Sequence, residues 1–242
     1  MRKIMTIGGV LMTLLLIMTA CGNQEDPGDE GYTDGVYSAV STADQRGYAW
    51  AEVTISQGRI TNVQLQDFDG LGQEKDWDVY PYSAAKEALD ELETVIVEGN
   101  TADVDIVTGA TASSQNAIEA VKHALEKADP SAPDGTYFDG TFMGISTVGA
   151  RGWGIAWVTL KDDEITAVKL LETMPGENGR FVLKAAEGDD RYDYEPYHTA
   201  REQLAEDIVQ SGSTDVDAVS GATGSSTNFV EAVEHALEQA ER

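Results

Sequence analysis

Three hydrophobic patterns succeed one another along the chain. The first is a nearly uncharged apolar run, "IMTIGGVLMTLLLIMTA", directly after Arg2 and Lys3. The second is a period of two. "AWAEVTI" and "GIAWVTL" partly alternate and are rich in Val, Ile, Trp and Thr, which predicts strands. The turns "SQGR" and "KDDE" lead from them into the strands "ITNVQL" and "ITAVKL". The third is the helical period. It predicts helices at about Ser83 to Leu92, Thr199 to Val209, Ser114 to Ala128 and Ser226 to Ala240. Ile118, Val121, Leu125 and Ala128 fall on one helical face, and Val230, Val233, Leu237 and Ala240 repeat it. A further short strand is expected over "ADVDIV" and again over "TDVDAV".

The patterns occur twice in the same order. Asp34, Gly35, Gly47 and Tyr48 align with Asp139, Gly140, Gly152 and Trp153. "PYSAAKEAL" answers "PYHTAREQL", and "SSQNAIEAVKHALEKA" answers "SSTNFVEAVEHALEQA". Two copies are too few for a solenoid and read as a tandem duplication of small domains. The expected organisation is a first domain over residues 31–128, a linker over 129–133 and a second domain over 134–242. Each is an α+β unit, a twisted and mainly antiparallel sheet covered by helices.

The ends and the charge add a setting. A basic start, an apolar run and a cysteine after small residues read as a secretory signal over residues 1–20. Thr19, Ala20 and Cys21 resemble the lipobox of bacterial lipoproteins, with Met18 where Leu is more usual. That resemblance implies lipidation of Cys21 and loss of the first 20 residues. Residues 21–30 then form an acidic tether, and the lipid bilayer is a partner through Cys21. Cys21 is the single cysteine, so no internal disulfide exists. The formal charge of −27 disfavours nucleic acid and anionic lipid head groups. The acidic runs read as solvated surface. None has the spacing of a metal site, and no catalytic acid–base or nucleophile set stands out.

One ten-residue segment appears twice, "DIVTGATASS" from Asp105 and "DAVSGATGSS" from Asp217, each ahead of a long helix. Two readings are open. In the first it is a helix start: Ser113 or Ser114, and Ser225 or Ser226, cap the first turn, Gly109 and Gly221 supply the bend, and Asp105 and Asp217 bond nearby N–H groups. In the second, small residues let a bulky anionic partner approach a helix N-terminus. Neither GxGxxG nor GxxxxGK[ST] occurs, so a freely exchanging nucleotide is not supported.

Asp105-Ile-Val-Thr108-Gly109-Ala110-Thr111 and Asp217-Ala-Val-Ser220-Gly221-Ala222-Thr223 resemble the D-x-x-[ST]-G-A-T motif of FMN-binding domains, found in sodium-pumping quinone reductases, electron-transport complexes and flavinylated lipoproteins. The resemblance implies two FMN groups, covalently bound through phosphoester bonds to Thr111 and Thr223. Asp105, Asp217, Thr108, Gly109, Ala110, Ser220, Gly221 and Ala222 would form the surrounding loop. It also implies a magnesium-dependent flavin transferase as partner, which uses FAD and releases AMP. His123 and His235 lie too far along their helices to activate the threonines and read as ordinary helix residues. An E-T-P-G segment that often lies against the flavin has a loose counterpart in "ETMPGENG" from Glu172, and only "DGLGQ" from Asp69 in the first copy. Trp50, Trp153, Trp157, Tyr82 and Tyr197 read first as core and second as flavin contacts. The implied protein is a lipid-anchored carrier on the extracytoplasmic face, passing electrons from a membrane quinol or flavoprotein to an extracellular acceptor. A terminal flavin-dependent reductase and a non-redox adhesion or binding lipoprotein are the alternatives.

Overall fold

Two pairs of left-handed residues set the hairpins. In the computed structural model, which describes residues 31–185 and 192–242, Gln57 and Gly58 have φ of 56° and 69°, and Asp162 and Asp163 have 51° and 63°. Consecutive left-handed residues give hairpin turns whose twist suits antiparallel strands. They join β2 (Gly47–Ser56) to β3 (Arg59–Asp69) and β5 (Gly154–Lys161) to β6 (Glu164–Pro175). β1 (Gly35–Val40) and β4 (Gly140–Ile145) pair antiparallel with β2 and β5. A short β7 (Phe181–Leu183) completes the second sheet, giving orders β1-β2-β3 and β4-β5-β6-β7. The expected signal, tether and Cys21 lie outside the described residues.

Among the described residues four helices cover the sheets: α1 (Ser83–Gly99), α2 (Thr111–Ala128), α3 (Glu195–Ser211) and α4 (Thr223–Ala240). Each is longer than the apolar period alone predicts. α1 continues because Ile96 extends the buried row of Leu89 and Leu92, and it stops at Asn100, left-handed at φ 54°. The Asn100 side chain accepts from the Ile60 N–H at 2.7 Å, which fastens the helix end to β3. α3 starts early because Pro196 suits its first turn.

The predicted face of α2 is buried throughout. On α4, Phe229, Ala232, Val233, Ala236 and Ala240 are buried, while Val230 and Leu237 of the predicted face are half-buried. Phe229, with no relative exposure, carries the largest burial gain on that helix, at the position where α2 buries Ala117.

The short strands expected over "ADVDIV" and "TDVDAV" do not form. Val104, Val107, Val216 and Val219 pack against the cores, but the backbone bonds to side chains instead of a ladder. Asp103 N–H donates to Thr101 Oγ1 and Val107 N–H to Ser114 Oγ; Asp215 N–H donates to Ser213 Oγ and Val219 N–H to Ser226 Oγ. Local hydroxyls compete with strand pairing in this way.

The two repeats pack on each other through sheet and helix residues alike, and residues 31–242 form one compact unit. Val40, Ala43 and Tyr48 of the first repeat belong to the same buried cluster as Trp153, Trp157 and Phe229 of the second. Trp153 Nε1 donates to the Leu71 carbonyl at 2.9 Å, and Trp157 Nε1 to the Asp44 carbonyl at 3.2 Å. His123 is more than a plain helix residue. Its Nδ1 lies 2.7 Å from the Val40 carbonyl and its ring stacks on Phe138 of the second repeat at 4.1 Å. Among the five aromatics singled out, Trp153, Trp157 and Tyr197 are core, Trp50 packs against the core, and Tyr82 is exposed. Among the described residues no helix is long and apolar enough to cross a membrane.

Candidate functional site

The duplicated segment builds the same arrangement twice. Gly109 and Gly221 have φ of 90° and 84°, a bend that L side chains resist. The helix then begins at the motif threonine itself, three residues earlier than expected. Ala110 and Ala222 take the cap position, and no side chain caps either helix. The serines therefore do not cap. Ser114 and Ser226 face back beneath the loop, where each Oγ accepts the Val107 or Val219 N–H at 3.1 Å. Thr111 and Thr223 are exposed at the very start of α2 and α4. Thr108, Ser220, Gly109 and Gly221 are exposed beside them, and Ala110 and Ala222 are buried. Asp105 and Asp217 are exposed as well. Neither carboxylate forms the local hydrogen bond expected of it among the described residues, so both face outward.

Beneath each helix start lies a buried ion pair that sequence reasoning missed. Ser113 Oγ donates to Asp67 Oδ2 at 3.0 Å, and the same oxygen accepts from Lys75 Nζ at 2.7 Å. In the second repeat Ser225 Oγ donates to Glu172 Oε2 at 2.7 Å, which also accepts from Lys184 Nζ at 2.6 Å. Side-chain exposure is 2% for Asp67 and 6% for Glu172, so each carboxylate needs its lysine. The second pair is better satisfied, because Asn228 Nδ2 donates to Glu172 Oε1 at 2.7 Å. Each ammonium also faces aromatic rings: Lys75 lies 4.9 Å from the centroid of Tyr80, and Lys184 lies 5.2 Å from Tyr192 and 5.4 Å from Tyr197. The signal for the carboxylates was in the repeat, since the front register that pairs Asp34 with Asp139 also pairs Asp67 with Glu172. The counterpart of Glu172 in the first copy is therefore Asp67, two residues ahead of "DGLGQ". The lysines had no such signal, because they stand at different distances from their carboxylates.

An uncapped helix start has unsatisfied N–H groups and the positive end of a dipole. Such a start suits an anionic group such as a phosphate, and an exposed hydroxyl stands on its first residue. The family model of the FMN-binding domain matches residues 46–126 and 152–238, once in each repeat. The chain belongs to the FMN-binding domain family. A urocanate reductase of Eggerthella lenta is 30% identical over 148 residues, 54% of this chain and 24% of that protein. An uncharacterized protein of Treponema pallidum is 37% identical over 97 residues, 40% of this chain and 24% of that protein. The chain thus spans about a quarter of the length of these curated relatives. A solved structure of a Clostridium perfringens protein is 28% identical with a TM-score of 0.35, covering 40% of this chain and 88% of its own.

The residues present fit FMN. Two exposed hydroxyls stand at uncapped helix starts with clear solvent in front of them. The buried carboxylate under each is already neutralised by lysine, so it does not oppose a phosphate there. Among the described residues no group of His, Cys, Asp and Glu is arranged to hold a metal ion. A cleft of about 560 Å³ opens between the repeats. Gln45 and Gly70 border it from the first repeat, and Trp157, Leu171, Leu183 and Arg201 from the second.

Proposed function

We propose that this FMN-binding protein is a redox carrier with two flavins, ester-linked through their phosphates to Thr111 and Thr223. The observation that carries the reading is the repeated geometry: an exposed threonine on the first residue of an uncapped helix, over a buried carboxylate–lysine–serine cluster. The naming of one relative as a reductase supports redox work. FMN supplies one- and two-electron chemistry when bound. The chain's own part is positional. The first-turn N–H groups of α2 and α4 hold the phosphate. Ser113 and Ser225, fixed by their carboxylates, keep that turn in place. The outward Asp105 and Asp217 are free for recognition by a flavin transferase that draws on FAD.

The rest of the reading follows the sequence. Lipidated Cys21 holds the protein on the extracytoplasmic face of the membrane, and a covalent link keeps the flavin from diffusing away there. A membrane quinol or flavoprotein is the donor, and an extracellular acceptor takes the electrons. Intact mass after co-expression with a flavin transferase tests the attachment. Two FMN-sized increments are expected, one lost in Thr111→Ala and one in Thr223→Ala; both retained in the double variant would refute it. The cleft between the repeats favours a second reading, direct reduction of a small substrate, which substrate-dependent reoxidation of the loaded protein would reveal.

A further inference from the structure

Both acceptor loops present an exposed threonine, but among the described residues a tyrosine hydroxyl holds the second loop from the side and none holds the first. Tyr194 Oη donates to the Gly221 carbonyl at 2.8 Å. Pro196 packs against the same glycine: a Cβ built on Gly221 would stand 3.3 Å from Pro196 Cβ and 3.9 Å from Tyr194 Oη. At Gly109 the same construction meets nothing within 4 Å. Tyr82 stands just ahead of α1 as Tyr194 stands just ahead of α3, although the register that pairs Pro81 with Pro196 sets Tyr194 opposite Val79. Its ring makes an edge contact with Tyr80 at 5.8 Å, and it is 68% exposed against 45% for Tyr194. In the aligned register the first copy has Val79 where the second has Tyr194.

We infer that Tyr194 is a latch on the second acceptor loop, so that a flavin transferase loads Thr111 ahead of Thr223. The inference rests on the ester-linked reading above. In the transfer, the threonine Oγ forms a bond to the FMN-side phosphorus of FAD and the pyrophosphate P–O bond breaks. AMP leaves and the hydroxyl proton passes to a base. No electrons move. The threonine must enter another protein's active site, so its loop has to adapt to that site's shape. The second loop first gives up the Tyr194 bond. One neutral, solvent-exposed hydrogen bond is worth roughly a two- to tenfold change in an equilibrium, and that sets the size of the effect.

The test uses the mature chain made without transferase, then treated with limiting transferase, FAD and magnesium. Peptide mass spectrometry reads occupancy at Thr111 and Thr223 in the same molecules. Early occupancy is expected to favour Thr111. Tyr194→Phe, which keeps the ring, should raise the Thr223 to Thr111 ratio about two- to tenfold. Tyr82→Phe should leave the ratio unchanged. Equal early occupancy in the unaltered chain, an unmoved ratio in Tyr194→Phe, or an equal shift in Tyr82→Phe each overturns the latch. No increment at either threonine overturns the ester link itself, and the latch with it.

Discussion

Replacing Lys75 with Met removes one half of a buried ion pair and leaves the other half in place. Asp67 has 2% side-chain exposure, and Lys75 has 10%. Among the described residues the remaining side-chain partner of the carboxylate is the Ser113 hydroxyl at 3.0 Å. Removing one partner of such a pair typically costs about 3–5 kcal/mol, because a charge stays buried without compensation. The lost contact between the ammonium and the Tyr80 ring adds about 0.5–1 kcal/mol. Met is close to Lys in length, so little of the effect comes from a void. The assay is urea unfolding of the mature chain at neutral pH, followed by circular dichroism. With a slope of about 3 kcal/mol per molar urea, the midpoint should fall by roughly 1 M or more. The double variant Asp67→Asn with Lys75→Met removes both charges and should recover most of the loss, to within about 1–2 kcal/mol of the parent. A Lys75→Met loss below about 1 kcal/mol would refute the reasoning, since the pair would then be exchanging with water. So would a double variant no better than the single.

Two further outcomes follow from close contact and burial. Gly144→Ala should destabilise by at least about 1–3 kcal/mol, because its Cβ would lie 2.1 Å from the Ala232 carbonyl and 2.3 Å from the Ala236 nitrogen, both backbone atoms of α4; thermal unfolding checks it. Burial pushes the Tyr48 and Tyr197 hydroxyls up to about 12. A folded pKa raised above the unfolded value of about 10 means that stability from these groups is fully present below pH 10. It is lost as pH rises from 10 to 12, where the unfolded chain releases protons first. Absorbance at alkaline pH should show two tyrosines ionising late, together with a fall in the unfolding midpoint over that interval.

Much of the architecture was legible from residue order. The duplication, the hairpin turns and the long helices are local or periodic features. Period-two and helical patterns record which side of an element meets the core. The motif that names the family is also local, a bend and a helix start within seven residues. Whether a helix begins at Thr111 or at Ser114 depends on where the serine hydroxyls go, and Val107 N–H claims Ser114.

What the sequence by itself determined was therefore the repeat, its fold class and its family. Only the tertiary structure decided what lies under and between the two motif threonines. Ser113 meets Asp67 across 46 positions and Ser225 meets Glu172 across 53. Trp153 reaches Leu71 across 82, and Tyr194 closes on Gly221 across 27. Period and propensity report how each segment divides its surface between water and protein. They carry no term for which distant segment fills the buried side, because that depends on how the sheets and helices pack in three dimensions.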